Sequence, residues 1–96
     1  MRRRGRVDAN QREIVAAIRK LGATVQSLAD IGKGCPDLLV GYRGTTLLLE
    51  VKDGAKPPSA RLLTPDEGAW MAAWRGGPYH VVSSVDEALA VIQEAA

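Results

Sequence analysis

Glu50 and Lys52 are spaced so that a carboxylate and an amine project from the same side of one strand. They close the segment 45–52, whose β-branched and aliphatic residues predict an extended conformation. Residues two apart in a strand share a face, so these side chains lie about 6–7 Å apart along it. Leu49 and Val51 alternate with them, which predicts that the opposite face of the strand enters a core.

A hairpin about Arg43-Gly44 brings a second carboxylate to this pair. A two-residue turn there pairs Asp37 with Glu50 on one face, with Cβ atoms about 5 Å apart. A four-residue loop centred on the same two residues keeps this register, whereas a three-residue loop sends Asp37 to the opposite face. Arginine is not a favoured first residue of a hairpin turn, so the sequence leaves both registers open.

Two adjacent carboxylates repel each other unless a positive charge lies between them. Their hard oxygen ligands suit Mg²⁺, with Mn²⁺ as a substitute, rather than zinc. A bound cation acidifies its water and polarises a phosphoryl oxygen, while a nearby lysine offsets charge on the phosphate. Asp37, Glu50 and Lys52 are therefore candidates for phosphodiester hydrolysis. The competing interpretation makes Asp37 a turn residue after Pro36, and Glu50 with Lys52 an ordinary solvated strand face.

The elements that must position these residues follow from caps and periodicity. Helices are predicted to begin at Asn10, Thr64 and Ser84, the first with Glu13 at its third position and Gly22 at its end. Strands are predicted at 23–28, 37–42, 45–52 and 79–83. The expected order is α-β-β-β-α-β-α, which is an α/β fold with a small mixed sheet flanked by helices. Its 96 residues make one domain.

Composition narrows the class of protein. The net charge is +2, but four of the 13 basic residues lie in an arm at 1–7, namely Arg2, Arg3, Arg4 and Arg6. Such an arm contacts phosphates in some proteins and is merely disordered in others. Cys35 is the only cysteine, which excludes an internal disulfide and a cysteine-based zinc site. We expect no membrane segment and a cytoplasmic protein, associated with a nucleoid or a phage-infected host.

Two motifs together resemble a known family. Gly34-Cys35-Pro36-Asp37, followed by Glu50-Val51-Lys52, is similar to the signature of PD-(D/E)XK nucleases. The likeness is greatest to the VRR-NUC type and to small Holliday-junction-resolvase-like nucleases, and it covers most of the chain. It implies a restriction-endonuclease-like core. Some relatives carry a glutamine early in the second helix, where this chain has Glu67-Gly68, so that supporting contact is left open.

The resemblance also implies roles for individual residues. Asp37 and Glu50 would be metal ligands, with the Val51 backbone carbonyl completing the site. Lys52 would activate water or stabilise the transition state. Glu13 would assist a metal or its water, although a capping-box role would explain it equally simply.

The expected activity is that of a Mg²⁺-dependent DNA endonuclease, selective for branched or junction DNA. The expected partners are duplex or branched DNA and a second copy of the chain, because a small monomer offers little surface for a duplex. One alternative is a catalytically inactive nuclease-fold module that only binds DNA; another is a small interaction protein. The candidate DNA-binding residues are Arg2, Arg3, Arg4, Arg6, Lys33, Lys56 and Arg61.

Overall fold

The structure is a computed structural model that describes residues 9–96. It contains three α-helices and four strands in the predicted order, together with a short 3₁₀ turn at Pro58–Arg61. The elements are α1 (Ala9–Leu21), β1 (Thr24–Ser27), β2 (Leu38–Tyr42), β3 (Thr45–Val51), α2 (Pro65–Ala73), β4 (Tyr79–Val82) and α3 (Val85–Ala95).

The four strands form one mixed sheet in the order β1-β2-β3-β4. The first three strands are antiparallel neighbours, and β4 joins β3 in parallel through the crossover that contains α2. The β2–β3 turn has positive φ at both central residues, 49° for Arg43 and 81° for Gly44. This is the geometry of a two-residue type I′ turn. The register pairs Leu38 with Leu49, so the hairpin follows the two-residue alternative.

The hydrophobic core lies between one face of the sheet and the helices α1 and α3. It consists of these buried side chains: Ile14, Ile18, Ala23, Leu38, Val40, Leu47, Leu49, Val82, Ala88 and Ile92. Strand alternation sends Leu48 and Glu50 to the other face, yet both are 3% exposed. The interpretation of Glu50 as an ordinary solvated strand residue is therefore wrong.

Local signals account for the helix ends. Gly22, with φ of 107°, ends α1, and Ala23 N–H donates to the Ile18 carbonyl in a Schellman motif. Ser84 caps α3 by accepting from Glu87 N–H. The prediction that Asn10 caps α1 is wrong, because the helix begins at Ala9. Helix α2 ends at Ala73, because the next residue, Trp74, has an extended backbone.

No helix within residues 9–96 is long and apolar enough to cross a membrane.

Candidate active site

The two predicted carboxylates meet at the end of the β2–β3 hairpin. Asp37 directly precedes β2, and the register of that pair, continued by one residue, places it opposite Glu50. One Asp37 oxygen, Oδ2, accepts a hydrogen bond from Val51 N–H at 2.7 Å. This bond fixes the Asp37 carboxylate against β3. Glu50 is buried, and its Oε1 atom has no hydrogen-bond partner within residues 9–96.

Burial makes this carboxylate pair hold a proton. Burial, followed by the Asp37 charge, raises the pKa of Glu50 to about 9. The pKa of Asp37 is also raised, mainly by burial, although the bond from Val51 N–H opposes the change. In the protein alone near neutral pH, a protonated Glu50 removes the charge repulsion between the two carboxyl groups.

Lys52 lies beside the pair and is held by a third carboxylate. Its Nζ atom is 3.7 Å from Glu50 Oε2 and 2.7 Å from Glu67 Oε1. Burial favours the neutral amine, but the bond to Glu67 and the surrounding negative charges outweigh it and raise the pKa of Lys52. The same contact lowers the pKa of Glu67 despite its burial. Lys52 and Glu67 therefore form a charged pair at neutral pH.

Glu67 reaches Lys52 from the first turn of α2. Thr64 Oγ1 accepts from Glu67 N–H at 3.2 Å, and Glu67 Oε1 accepts from Thr64 N–H at 2.9 Å, which completes a capping box. One oxygen atom of Glu67 thus serves both the helix cap and the lysine. From the sequence, Thr64 was used only as a helix start and a supporting role for Glu67 was left open, so the contact of Glu67 with Lys52 was not predicted.

The segment before Asp37 packs closely against the same helix turn. Gly34 has φ of 84°, and a Cβ atom there would overlap the Asp66 carbonyl oxygen and approach Glu67 N. The glycine therefore permits a backbone contact that a side chain would block.

A second missed residue, Asn10, ties α1 to the site. Its side-chain Nδ2 donates to the Lys52 carbonyl at 2.8 Å and to the Ser83 carbonyl at 3.3 Å. These carbonyls follow the adjacent ends of β3 and β4. The bonds fix the backbone from which Lys52 projects. No sequence pattern marked this long-range contact, because the cap assignment had already explained the polar side chain.

Two further polar groups border the carboxylates. Cys35 is a free, half-buried thiol whose pKa is raised by burial and then by the charges of Glu50 and Asp37. The raised pKa favours the neutral thiol over the nucleophilic thiolate. The hydroxyl of Tyr79 is buried without a hydrogen-bond partner.

The structure does not bring every candidate residue to this site. Glu13 is exposed on α1, and no hydrogen bond or ion pair within residues 9–96 connects it to the three central side chains. Lys33 and Lys56 are exposed in loops and Arg61 is half-buried in the 3₁₀ turn. The roles of these residues stay predictions. The arm residues lie outside the described part of the chain: Arg2, Arg3, Arg4 and Arg6.

Few groups in the described part of the chain are placed where they could act together as ligands of a cation. No group of three or more His, Cys, Asp or Glu side chains in the described part of the chain is arranged to hold a metal ion. Asp37 and Glu50 remain as an adjacent pair, with the unpartnered Oε1 atom of Glu50 as a free acceptor. Lys52 N–H donates to Val82 on β4. Because backbone groups alternate along a strand, the Val51 carbonyl faces the opposite side, toward Asp37.

The mixed sheet and its flanking helices have the arrangement of a PD-(D/E)XK-like domain. The chain is similar to a solved structure described as a VRR_NUC domain, with a TM-score of 0.66 and 28% sequence identity. The match covers 90% of this chain and 92% of the other. No family model matches the sequence, and no curated protein matches it. The structural match confirms the resemblance: the fold is that of a VRR-NUC-type nuclease domain.

Proposed function

We propose that this protein is a Mg²⁺-dependent DNA endonuclease with Asp37, Glu50 and Lys52 at its centre. The observation that carries the proposal is the buried pair of carboxylates with a lysine amine 3.7 Å from one of them. Two carboxyl groups buried side by side cost stability in the protein alone, because they must be either charged and repelling or partly protonated, whereas a bound cation would compensate both charges. A solvated strand face or a purely structural role would not account for two buried carboxyl groups beside a lysine.

The residues fit a divalent cation. Glu50 offers an unpartnered buried oxygen, and Asp37 is oriented by the Val51 N–H bond. We propose that these two carboxylates and the Val51 carbonyl hold Mg²⁺, with Mn²⁺ as a substitute. When bound, the cation would supply Lewis acidity toward a phosphoryl oxygen and a more acidic water.

Within such a site the chain's own groups have separable tasks. Glu67 holds the Lys52 amine in its charged form at 2.7 Å. That fixed positive charge lies where it can offset negative charge developing on an attacked phosphate. Asn10 holds the backbone at Lys52 through the carbonyl of that residue. Glu67, in the capped first turn of α2, thus binds the Lys52 amine, and Asn10 of α1 holds the backbone from which that amine extends.

DNA is the proposed substrate, and branched or junction DNA the proposed preference. Lys33, Lys56 and Arg61 are proposed to contact phosphates, together with the basic arm at the start of the chain. We also propose a symmetric homodimer that presents two sites to the two strands of a duplex. Sedimentation analysis of the protein, alone and with DNA, tests that assembly.

The test is cleavage of labelled single-stranded, duplex, flap and four-way-junction DNA, each with Mg²⁺, with Mn²⁺ and with EDTA. Lys52→Ala should abolish metal-dependent cleavage. Lys20→Ala is the matched control, since Lys20 is exposed in the last turn of α1 and lies outside the proposed site. A preference among the four substrates would assign the selectivity.

A DNA-binding module without activity is the alternative. It predicts DNA binding on every substrate, no product with either cation, and no difference between wild type and Lys52→Ala. Nothing in the site favours this alternative, because both carboxylates and the lysine are present and close together. A rise in thermal midpoint with Mn²⁺ that Asp37→Asn removes would support a cation site independently of turnover.

A further inference from the structure

The hydroxyl of Tyr79 is a buried donor that the proposed reaction has not yet used. The hydroxyl is buried, and it makes no hydrogen bond to any atom in the described part of the chain, residues 9–96. Burial, followed by the charges of Glu50, Glu67 and Asp37, raises the pKa of Tyr79 to about 12. The phenol therefore keeps its proton, and it is available to donate. Buried polar atoms without partners are uncommon in folded proteins, and each costs free energy.

Strand register places this hydroxyl beside the carboxylates. Tyr79 is opposite Leu48 across the parallel β3–β4 pair, and Val81 is opposite Glu50. Tyr79 and Glu50 therefore project from the same face of adjacent strands as diagonal neighbours. Aromatic and long side chains reach each other across such a diagonal. The Glu50 Oε1 atom, which also lacks a hydrogen-bond partner within residues 9–96, belongs to a side chain on this same face of the sheet.

Two tryptophans hold the Tyr79 ring in place. Trp70 lies with its ring centroid 6.1 Å from that of Tyr79, and Trp74 stacks on Trp70 at 5.2 Å. Trp74 is itself fixed by donating from Nε1 to the Gly77 carbonyl at 2.7 Å. Trp70 is three residues after Glu67 on α2, so the helix that positions Lys52 also supports the tyrosine. The ring is therefore supported, while its hydroxyl has no partner.

We propose that the Tyr79 hydroxyl donates a hydrogen bond to an oxygen atom that enters this site, either on the scissile phosphate or on a metal-bound water. This role rests on the proposed nuclease function. A hydroxyl that served the fold alone would have a partner in the folded protein. A donor held free beside two carboxylates suits an incoming group that carries lone pairs or negative charge.

Tyr79→Phe removes the hydroxyl and keeps the ring, and Tyr42→Phe is the matched control. Tyr42 lies at the turn end of β2, with Arg43 over its ring. In EDTA we expect Tyr79→Phe to be as stable as wild type or more so, because a buried unpartnered group is lost. Turnover of the best DNA substrate at saturation should fall about 10-fold or more. Tyr42→Phe should retain wild-type turnover.

Two measurements show whether the oxygen atom that Tyr79 contacts belongs to a metal-bound water or to the phosphate. A smaller Mn²⁺-induced rise in thermal midpoint, measured without DNA, would assign the oxygen to metal-bound water. An unchanged Mn²⁺ effect with a slower turnover, or weaker DNA binding in Ca²⁺, would assign it to the phosphate.

Different results would contradict the proposed role of Tyr79 and the proposed nuclease function. If wild type cleaves and Tyr79→Phe matches it in turnover, DNA binding and Mn²⁺ response, the inference is wrong and the nuclease proposal stands. A loss of stability in EDTA larger than that of Tyr42→Phe would reveal a structural role for the hydroxyl and also overturn the inference. If wild type cleaves nothing, the nuclease proposal fails. The Mn²⁺ response of Tyr79→Phe then decides the inference without DNA.

Discussion

Replacing Glu50 by glutamine tests the electrostatic basis of the candidate site in the absence of any substrate. Burial beside Asp37 raises the pKa of Glu50 from 4.5 to about 9 in the folded chain. The folded state therefore keeps the Glu50 proton at pH values where the unfolded state releases it. A group with a raised pKa contributes stability that is fully present below its unfolded pKa and is lost as pH rises toward its folded pKa.

The magnitude follows from the pH interval. Between pH 5 and pH 7.5 the unfolded carboxylate is mostly ionised and the folded one mostly protonated. At 1.36 kcal/mol for each pH unit, Glu50 costs about 3 kcal/mol of stability over this interval. Glutamine stays neutral throughout and keeps a donor for Asp37. The stability of Glu50→Gln relative to wild type should therefore increase by about 3 kcal/mol between these two pH values.

Urea unfolding in EDTA at pH 5 and pH 7.5 measures this difference. Glu94→Gln serves as the control, because Glu94 is exposed on α3, and it should follow the wild-type profile. With Mn²⁺ present, wild type should gain stability and Glu50→Gln should gain little, since the substitution removes an anionic ligand. Equal pH profiles for Glu50→Gln and wild type would show that Glu50 is already ionised, and the argument from the buried pair would be wrong.

Two further predictions concern the support around Lys52. Glu67→Ala should lower turnover at least 10-fold, whereas Glu67→Gln, which retains an acceptor for Lys52 and Thr64, should recover a substantial part of it. Steady-state cleavage of one DNA substrate measures both variants. Thr64→Ala removes the cap hydroxyl but not the backbone donor, so it separates the loss of the helix cap from the positioning of the lysine. If Thr64→Ala and Glu67→Ala lose equal activity, helix capping alone explains the effect. Gly34→Ala should destabilise the domain by about 1–3 kcal/mol in chemical unfolding and reduce cleavage, because its Cβ meets the Asp66 carbonyl and its φ is 84°. Wild-type stability and activity in Gly34→Ala would show that the close approach is dispensable.

The sequence was most informative where local rules decide the geometry. Alternation in β3 and a two-residue turn at Arg43-Gly44 place Glu50 beside Asp37, as the structure confirms. The sequence located the turn but left its length open, and only the structure excludes the three-residue loop. The cap residues Thr64 and Ser84 located α2 and α3 to within a residue at their starts.

Contacts between residues far apart in the sequence could not be predicted from these local rules. Glu67 and Lys52 are 15 residues apart, and their meeting depends on how the crossover returns α2 to the sheet. Asn10 and Lys52 are 42 residues apart, and Asn10 had a satisfactory local explanation as a cap. Burial of Glu50 was also unforeseen, since it depends on the elements that cover the second face of the sheet. In each case a local explanation competed with a contact that only the assembled fold creates.

Helix α2 has no fully buried residue, in contrast to α1 and α3, which both contribute to the core. It nevertheless supplies Glu67 to Lys52 and Trp70 to Tyr79. Such an element can detach by local opening while the core stays folded. Heating would then disable the site before the domain melts, so the temperature limit of activity would lie below the thermal midpoint of the fold.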